Sequence, residues 1–79
     1  MTKAIVWTNL GCHFCEMAKT LLKQKGIEYE ERNLAKDWDV QQLLEAVPNA
    51  RTVPQIFVDD KYIGGYDELV KYFKKNNKT

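Results

Sequence analysis

The chain has 79 residues, of which 44% are hydrophobic and 29% charged, and its formal net charge is +1. This length and composition predict a single globular domain, residues 1–79, with a modest hydrophobic core. So balanced a charge gives no reason to expect nucleic acid or an anionic membrane as a partner. No apolar run approaches the roughly 20 residues that cross a bilayer, or resembles a signal-peptide core. We therefore expect a monomeric, cytoplasmic protein.

Both cysteines lie in one short stretch, between an apolar run and a helical pattern. Cys12 and Cys15 have the C-x-x-C spacing, which lets two sulfurs in the first turn of a helix close a disulfide and open it again. A disulfide that closes so small a loop would add little stability, because it restrains little unfolded-chain entropy, and a reducing cytosol does not favour structural disulfides. Unpaired N–H groups and the macrodipole at a helix N-terminus favour a thiolate. The sequence therefore predicts Cys12 as the nucleophile of a reversible disulfide.

The first half of the chain predicts a strand, a helix and a second strand. Residues 3–8 form a short apolar run of β-branched and aromatic side chains, which indicates a buried strand, and residues 9–11 turn the chain. Over residues 14–25 apolar side chains recur at helical spacing, and Gly26 can end this helix in a left-handed conformation. Residues 27–33 predict an edge strand. The inward face of the helix would carry Met17, Ala18, Leu21 and Leu22.

A second helix is predicted after the edge strand. Asp37 or Asp39 can cap its N-terminus, and the dipeptide Pro48-Asn49 marks its exit. We expect its apolar stripe to consist of Val40, Leu43, Leu44 and Val47.

The remainder predicts a hairpin and a final helix. Pro54 cannot donate to a sheet ladder, so it belongs at the start of a strand over residues 55–58. A turn at residues 59–60 leads to a paired strand at residues 61–63, and residues 67–75 form the helix. That helix would turn Leu69, Val70, Tyr72 and Phe73 inward and place Lys74, Lys75 and Lys78 near its negative end, with the last few residues frayed.

These elements run βαβ, then α, then ββα, with no linker or repeat. A βαβ unit places two parallel strands in one sheet with a helix packed across it. The predicted fold class is therefore α/β: a minimal thioredoxin-like fold, βαβαββα, with a four-stranded mixed sheet and helices on both faces. The strand at residues 3–8 is expected in the middle of the sheet.

Three stretches, spread over nearly the whole chain, together resemble the glutaredoxin family. They are Cys12-His13-Phe14-Cys15, Thr52-Val53-Pro54-Gln55-Ile56-Phe57 and Ile63-Gly64-Gly65-Tyr66-Asp67-Glu68-Leu69. A C-x-x-C alone is weak evidence, but these three motifs in this order are highly specific, and the short chain suits a bacterial or phage member. The resemblance implies a thiol–disulfide oxidoreductase that reduces protein or glutathione mixed disulfides, with Cys12 as nucleophile and Cys15 as the resolving residue. Glutathione would be its co-substrate, with no bound cofactor or metal.

The resemblance also implies a glutathione site. Pro54 would follow a cis peptide bond and pack beside the first cysteine. The backbone of Thr52 and Val53 would pair with the cysteinyl part of glutathione like an added strand. N–H groups of Tyr66 and Asp67 would receive the γ-glutamyl carboxylate at a helix start, and the Asp67 side chain would pair the amine. The expected contacts are Phe14, Thr52, Val53, Pro54, Gly65, Tyr66 and Asp67.

The chain departs from the family pattern in two ways. Many glutaredoxins carry Lys or Arg three residues before the nucleophile, where it can meet the glycine carboxylate of glutathione, and this chain has Asn9 there. The usual Pro-Tyr between the cysteines is replaced by His13 and Phe14, which keeps an aromatic face but lacks the phenol hydroxyl. A solvent-facing role for His13 is favoured over a catalytic base.

Other functions stay open at this stage. The chain could be a dedicated dithiol electron donor to ribonucleotide reductase, recycled by thioredoxin reductase, and such disulfide-containing proteins are the expected protein partners. It could also be an iron–sulfur carrier, although family members of that type usually have Ser in place of Cys15. A structural zinc site is disfavoured, because two cysteines and one adjacent histidine do not complete a tetrahedral set of four ligands.

Overall fold

The computed structural model describes residues 2–76 of the chain. Its elements follow the predicted order βαβαββα. They are β1 (Lys3–Thr8), α1 (His13–Gln24), β2 (Glu28–Asn33), α2 (Val40–Ala46), β3 (Gln55–Val58), β4 (Lys61–Gly64) and α3 (Tyr66–Asn76). The expected cation at Lys78 and the expected fraying of the last residues lie outside the described part of the chain. None of the helices within residues 2–76 is long and apolar enough to span a membrane.

The four strands form one mixed sheet in the order β2-β1-β3-β4. β1 pairs parallel with β2 and antiparallel with β3, and β4 pairs antiparallel with β3. The predictions of a mixed sheet, an inner β1 and an edge β2 are confirmed. Because β1 is flanked on both sides, its carboxyl end projects the following loop and the N-terminus of α1 from the middle of the sheet.

The sheet separates two hydrophobic clusters, because alternate side chains of β1 point to opposite faces. Ala4 and Val6 face α1 and α3, whereas Trp7 faces α2. The larger cluster consists of Ala4, Val6, Ala18, Leu22, Ile56, Val58 and Leu69. The smaller cluster consists of Trp7, Leu43 and Val47. Helices therefore cover both faces, as predicted.

The caps decide where the helices begin. Cys12 is the N-cap of α1, so this helix begins at His13, one residue earlier than expected. At α2, Asp39 is the N-cap, and it forms a capping box with Gln42. Gly26 has φ +72°, which confirms its left-handed role after α1.

The prediction for α2 is wrong in one respect. Leu43 and Val47 are buried, but Val40 and Leu44 are 57% and 39% exposed. α2 has only seven residues, so its two turns reach the sheet along one narrow line. The predicted apolar stripe is wider than the face that so short a helix can bury, so Val40 and Leu44 stay exposed.

Candidate active site

The two cysteines occupy the junction between β1 and α1. Gly11, at φ +72°, turns the chain just before Cys12, and a left-handed backbone of this kind suits a residue without Cβ. Cys12 is partly exposed, whereas Cys15 is 1% exposed. The two residues are joined as a disulfide, with their Cα atoms 5.2 Å apart. A substrate in solution can therefore reach the first sulfur, and the second is shielded.

Backbone groups surround the Cys12 sulfur. The Cys15 N–H donates to Cys12 Sγ at 3.2 Å, which is the N-capping bond of α1. On the other side Sγ lies 3.6 Å from the Val53 carbonyl oxygen. In the disulfide the sulfur has no proton, so this second approach is a packing contact. After reduction, the N–H donor and the positive end of the helix favour a negative charge on this sulfur.

The loop before β3 reaches the site through its backbone. The Val53–Pro54 peptide bond is cis, as the family resemblance implies, and Val53 lies against the Cys12 sulfur. Behind this loop the side chain of Gln55 is bonded to the Thr52 carbonyl. The loop thus presents main-chain groups beside the redox pair.

A cleft of about 220 Å³ begins beside the cysteines and runs to the start of α3. Its lining contains all seven residues expected to contact glutathione, together with Glu68. These are Phe14, Thr52, Val53, Pro54, Gly65, Tyr66, Asp67 and Glu68. Sequence reasoning missed Glu68 as a site residue. The signal that could have found it is the acidic residue three positions after Gly65, the spacing by which a side chain reaches back to a helix start.

Aromatic rings form the wall of the cleft on the α1 side. Phe14 is 54% exposed, and its ring centroid lies 6.0 Å from that of Tyr66. His13 contacts Phe14 edge-on at 5.9 Å but does not line the cleft. It is exposed and faces a separate groove along α1. This placement agrees with a solvent-facing role for His13.

Among the described residues, the cleft lining carries two carboxylates and no basic side chain. Asp67 is exposed, and Glu68 Oε1 accepts from the Gly65 N–H at 3.0 Å, so its charge sits at the start of α3. Asn9 does not replace the missing cation, because its amide is uncharged; its Oδ1 accepts from the Leu10 N–H at 2.7 Å within its own loop. Arg51 is exposed next to the cleft residue Thr52 but does not line it.

A polar network supports α1 from the side of β2. The Thr8 hydroxyl donates to Glu31 at 2.7 Å, and Lys19 bridges Glu31 at 3.1 Å and Glu16 at 2.9 Å. Burial acts to raise the pKa of Glu31, but the bonds from Thr8 and Lys19 outweigh it, so the pKa is lowered. Burial likewise acts to lower the pKa of Lys19, and the two carboxylates outweigh it and raise the pKa. The network therefore favours the charged forms.

The fold and the redox pair define a class of protein. A disulfide between an accessible and a shielded cysteine, at the N-terminus of a helix in a thioredoxin-like fold, is the arrangement of thiol–disulfide oxidoreductases. Among residues 2–76, no group of three or more His, Cys, Asp or Glu side chains could hold a metal ion.

Comparisons with known proteins then identify the family. The sequence model of the glutaredoxin family matches residues 4–63. Glutaredoxin 3 of Escherichia coli is 37% identical over 71 residues, 87% of this chain and 83% of the relative. A hybrid peroxiredoxin of Haemophilus influenzae is 46% identical over 68 residues, which are 86% of this chain but only 28% of that relative. The chain belongs to the glutaredoxin family, whose members are disulfide oxidoreductases.

Solved structures agree with this membership. Glutaredoxin 1 of Francisella tularensis, crystallised with cacodylate, superposes with a TM-score of 0.74 at 30% identity, covering 99% of this chain and all of the other. A buckwheat glutaredoxin–glutathione complex gives a TM-score of 0.79 at 29% identity, covering 94% of this chain and 70% of the other.

Proposed function

We propose that this chain is a glutathione-coupled thiol–disulfide oxidoreductase that reduces protein disulfides and glutathione mixed disulfides. The position of Cys12 carries the proposal: its partly exposed sulfur caps α1 and accepts from the Cys15 N–H at 3.2 Å. The exposed sulfur is accessible to a substrate disulfide, and the N–H and the helix dipole favour its thiolate. Cys15, 1% exposed, is suited to resolving the mixed disulfide rather than starting the exchange.

The reduced protein acts through two sulfur exchanges. The Cys12 thiolate attacks one sulfur of the substrate disulfide, which forms a mixed disulfide and releases the other substrate sulfur as a thiolate that takes a proton from water. Cys15 then loses its proton, attacks Cys12 Sγ and displaces the remaining substrate thiolate. Two electrons have passed from the cysteine pair to the substrate, and the chain is left as the Cys12–Cys15 disulfide.

Two molecules of glutathione restore the dithiol. The thiolate of the first attacks Cys12 Sγ, which frees Cys15 and leaves glutathione bound to Cys12. The thiolate of the second attacks the glutathione sulfur of that mixed disulfide, which releases glutathione disulfide and the Cys12 thiolate. With a glutathione mixed disulfide as substrate, Cys12 takes the glutathione directly and Cys15 is not needed.

The cleft supplies the groups that would hold glutathione. The backbone of Thr52 and Val53 pairs with its cysteinyl residue as an added strand does, beside Pro54. The first N–H groups of α3, at Tyr66 and Asp67, receive the γ-glutamyl carboxylate, and the Asp67 carboxylate pairs the amine. The similarity to the buckwheat protein, which was crystallised as a glutaredoxin–glutathione complex, supports glutathione as co-substrate, with no resident cofactor.

The protein partners are disulfide-containing proteins, of which ribonucleotide reductase is one. A cytoplasmic setting fits this role, because reduced thiols and glutathione are kept there. A second candidate partner is a peroxiredoxin, and the observation that favours it is the Haemophilus relative, a hybrid peroxiredoxin that this chain matches over 28% of its length. In that role Cys12 would attack a peroxiredoxin disulfide by the same two exchanges.

The two serine variants of the redox pair test the proposal. Cys12→Ser should abolish reduction of both a protein disulfide and a glutathionylated peptide. Cys15→Ser should lose the first activity and keep the second, because only the first needs a resolving sulfur. Turnover is measured with glutathione and its reductase, and in parallel with thioredoxin reductase as the alternative electron source. Reduction of a protein disulfide by Cys12→Ser would contradict the proposal. So would a wild-type protein that turns over with thioredoxin reductase but not with glutathione and its reductase.

A further inference from the structure

A buried hydrogen-bond relay stands behind the loop that precedes β3. Gln55 is 7% exposed. Its Nε2 donates to the Thr52 carbonyl oxygen at 2.7 Å, and its Oε1 accepts from the Tyr62 hydroxyl at 2.6 Å. The orientation of this amide is fixed by chemistry, because a carbonyl oxygen can only accept and the amide must therefore turn its nitrogen toward Thr52.

The outer end of the relay is also held in place. Tyr62 pairs with Phe57 across the ladder between β3 and β4, and their rings lie 5.4 Å apart. Tyr62 is 48% exposed, so the relay runs from the outer strand of the sheet inward to the buried amide. Gln55 consequently has a donor on one side and an acceptor on the other, and neither of its polar atoms is left free to turn away.

The relay fixes the direction of one peptide plane. The Thr52–Val53 peptide bond is trans, and in a trans peptide the C=O and N–H groups point to opposite sides. Because the Thr52 carbonyl is turned toward Gln55, the Val53 N–H points the other way. Within residues 2–76 no group accepts from this N–H, and both Thr52 and Val53 line the cleft. The relay therefore leaves one main-chain donor aimed at the place where a substrate would lie.

We infer that Gln55 and Tyr62 are positioning residues that aim the Val53 N–H at a backbone carbonyl of the bound substrate. This inference rests on the proposed function and assigns that carbonyl to the cysteinyl residue of glutathione. Neither side chain lines the cleft, so both act through Thr52. The relay matters when the group transferred to Cys12 has a peptide carbonyl beside its sulfur, as glutathione does, and it is irrelevant when the transferred group has none.

One peptide in two disulfide forms tests this distinction. The first form carries glutathione and the second carries mercaptoethanol, which has no carbonyl to accept from Val53. Tyr62→Phe removes only the hydroxyl and keeps the ring on Phe57, and Gln55→Met removes both bonds at nearly constant volume. Tyr29→Phe, on β2, is the matched control for loss of a tyrosine hydroxyl away from the cleft.

For the glutathionylated peptide we expect KM to rise about five-fold in Tyr62→Phe and on the order of tenfold in Gln55→Met, with kcat nearly unchanged. KM for the mercaptoethanol form should stay at the wild-type value, and Tyr29→Phe should match wild type for both. Equal losses for both forms, or no change in Tyr62→Phe, overturn the inference while the proposed function stands. A wild-type protein with no preference for the glutathionylated peptide overturns the proposed function and this inference with it.

Discussion

The two helices that border the cleft begin with different capping groups. At α1 the acceptor is the Cys12 sulfur, which takes the Cys15 N–H at 3.2 Å. At α3 it is the Glu68 carboxylate, which takes the Gly65 N–H at 3.0 Å. The carboxylate keeps its charge through the reaction, whereas the sulfur is neutral in the disulfide and negative as a thiolate. The same helix-end electrostatics therefore support redox chemistry at α1 and, in the proposed function, a fixed binding surface at α3.

The third helix shows what such a cap does away from the site. Asp39 caps α2 and forms a reciprocal capping box with Gln42, and neither residue lines the cleft. We expect this cap to contribute to stability and not to activity. Substitutions at the three helix starts should therefore separate chemistry, ligand binding and stability.

The largest effect at α3 is expected for Asp67→Asn. This change removes the charge that would pair the glutathione amine, and a hydrogen bond to a charged group contributes roughly 1.5 to 3 kcal/mol. KM for a glutathionylated peptide should rise about tenfold or more, with little change in kcat. Asp60→Asn, in the turn between β3 and β4, is the matched control and should behave as wild type. An unchanged KM in Asp67→Asn would remove this residue from the site.

Glu68→Gln should lower KM for the glutathionylated peptide, by less than Asp67→Asn raises it. The amide oxygen can still accept from the Gly65 N–H, so the cap is kept, but one negative charge leaves a cleft proposed to bind an anionic ligand. We expect KM for the glutathionylated peptide to fall about two- to threefold at low salt and the difference to shrink as salt is added. A higher KM in this variant would mean that Glu68 itself contacts the ligand.

Asp39→Ala should change stability without changing activity. Loss of an N-cap side chain costs about 1 kcal/mol, which is measured as a lower midpoint of urea unfolding. Activity per folded molecule should equal that of wild type, because Asp39 does not line the cleft. Reduced activity at unchanged stability would show that α2 is coupled to the site.

The smallest effect concerns the network beside α1. The lowered pKa of Glu31 means that its stabilising contribution is present above about pH 4.5 and is lost as the pH falls through the folded-state pKa. The raised pKa of Lys19 means that its contribution is present below about pH 10.5 and is lost as the pH rises beyond that. Glu31→Gln should cost less than about 1 kcal/mol near pH 7, since these groups are partly solvated.

The test is how the difference in unfolding free energy between wild type and Glu31→Gln depends on pH. The gap in unfolding free energy between wild type and Glu31→Gln should narrow as the pH falls below 4.5, because the carboxylate is protonated first in the unfolded state and only at lower pH, through its lowered folded-state pKa, in the folded state. Glu45→Gln, on α2, serves as the surface control and should show no such trend. A gap that is constant between pH 3 and pH 7 would mean that the ion pair does not stabilise the fold.

Local patterns in the sequence were enough to predict most of the fold. The bounds of β1 and β3 followed from short apolar runs, and the end of α1 followed from Gly26, because these signals act within a few residues. The set of α2 side chains that are buried could not be predicted from such local patterns. Val40 and Leu44 have the right spacing for a buried stripe, but the length of the helix and its distance from the sheet decide their exposure.

The site likewise has a part that the sequence predicted and a part that it did not. The residues of the cleft follow from three motifs, and the structure brings them together. The relay through Gln55 could not be predicted, because it depends on a side chain from β4, the outer strand of the sheet, reaching β3. A polar residue directly after Pro54 in an apolar strand was the only local sign that a buried amide needed partners.

The most direct test of glutathione recognition uses the Cys15→Ser variant, in which Cys12 is the sole thiol. Its rate is measured on one peptide that carries either glutathione or mercaptoethanol as a mixed disulfide, with free glutathione as the reductant. If the cleft binds glutathione as proposed, the glutathionylated peptide should be turned over at least about tenfold faster in kcat/KM, with glutathione as the group transferred to Cys12. Equal kcat/KM for the two peptides would contradict glutathione recognition by the cleft.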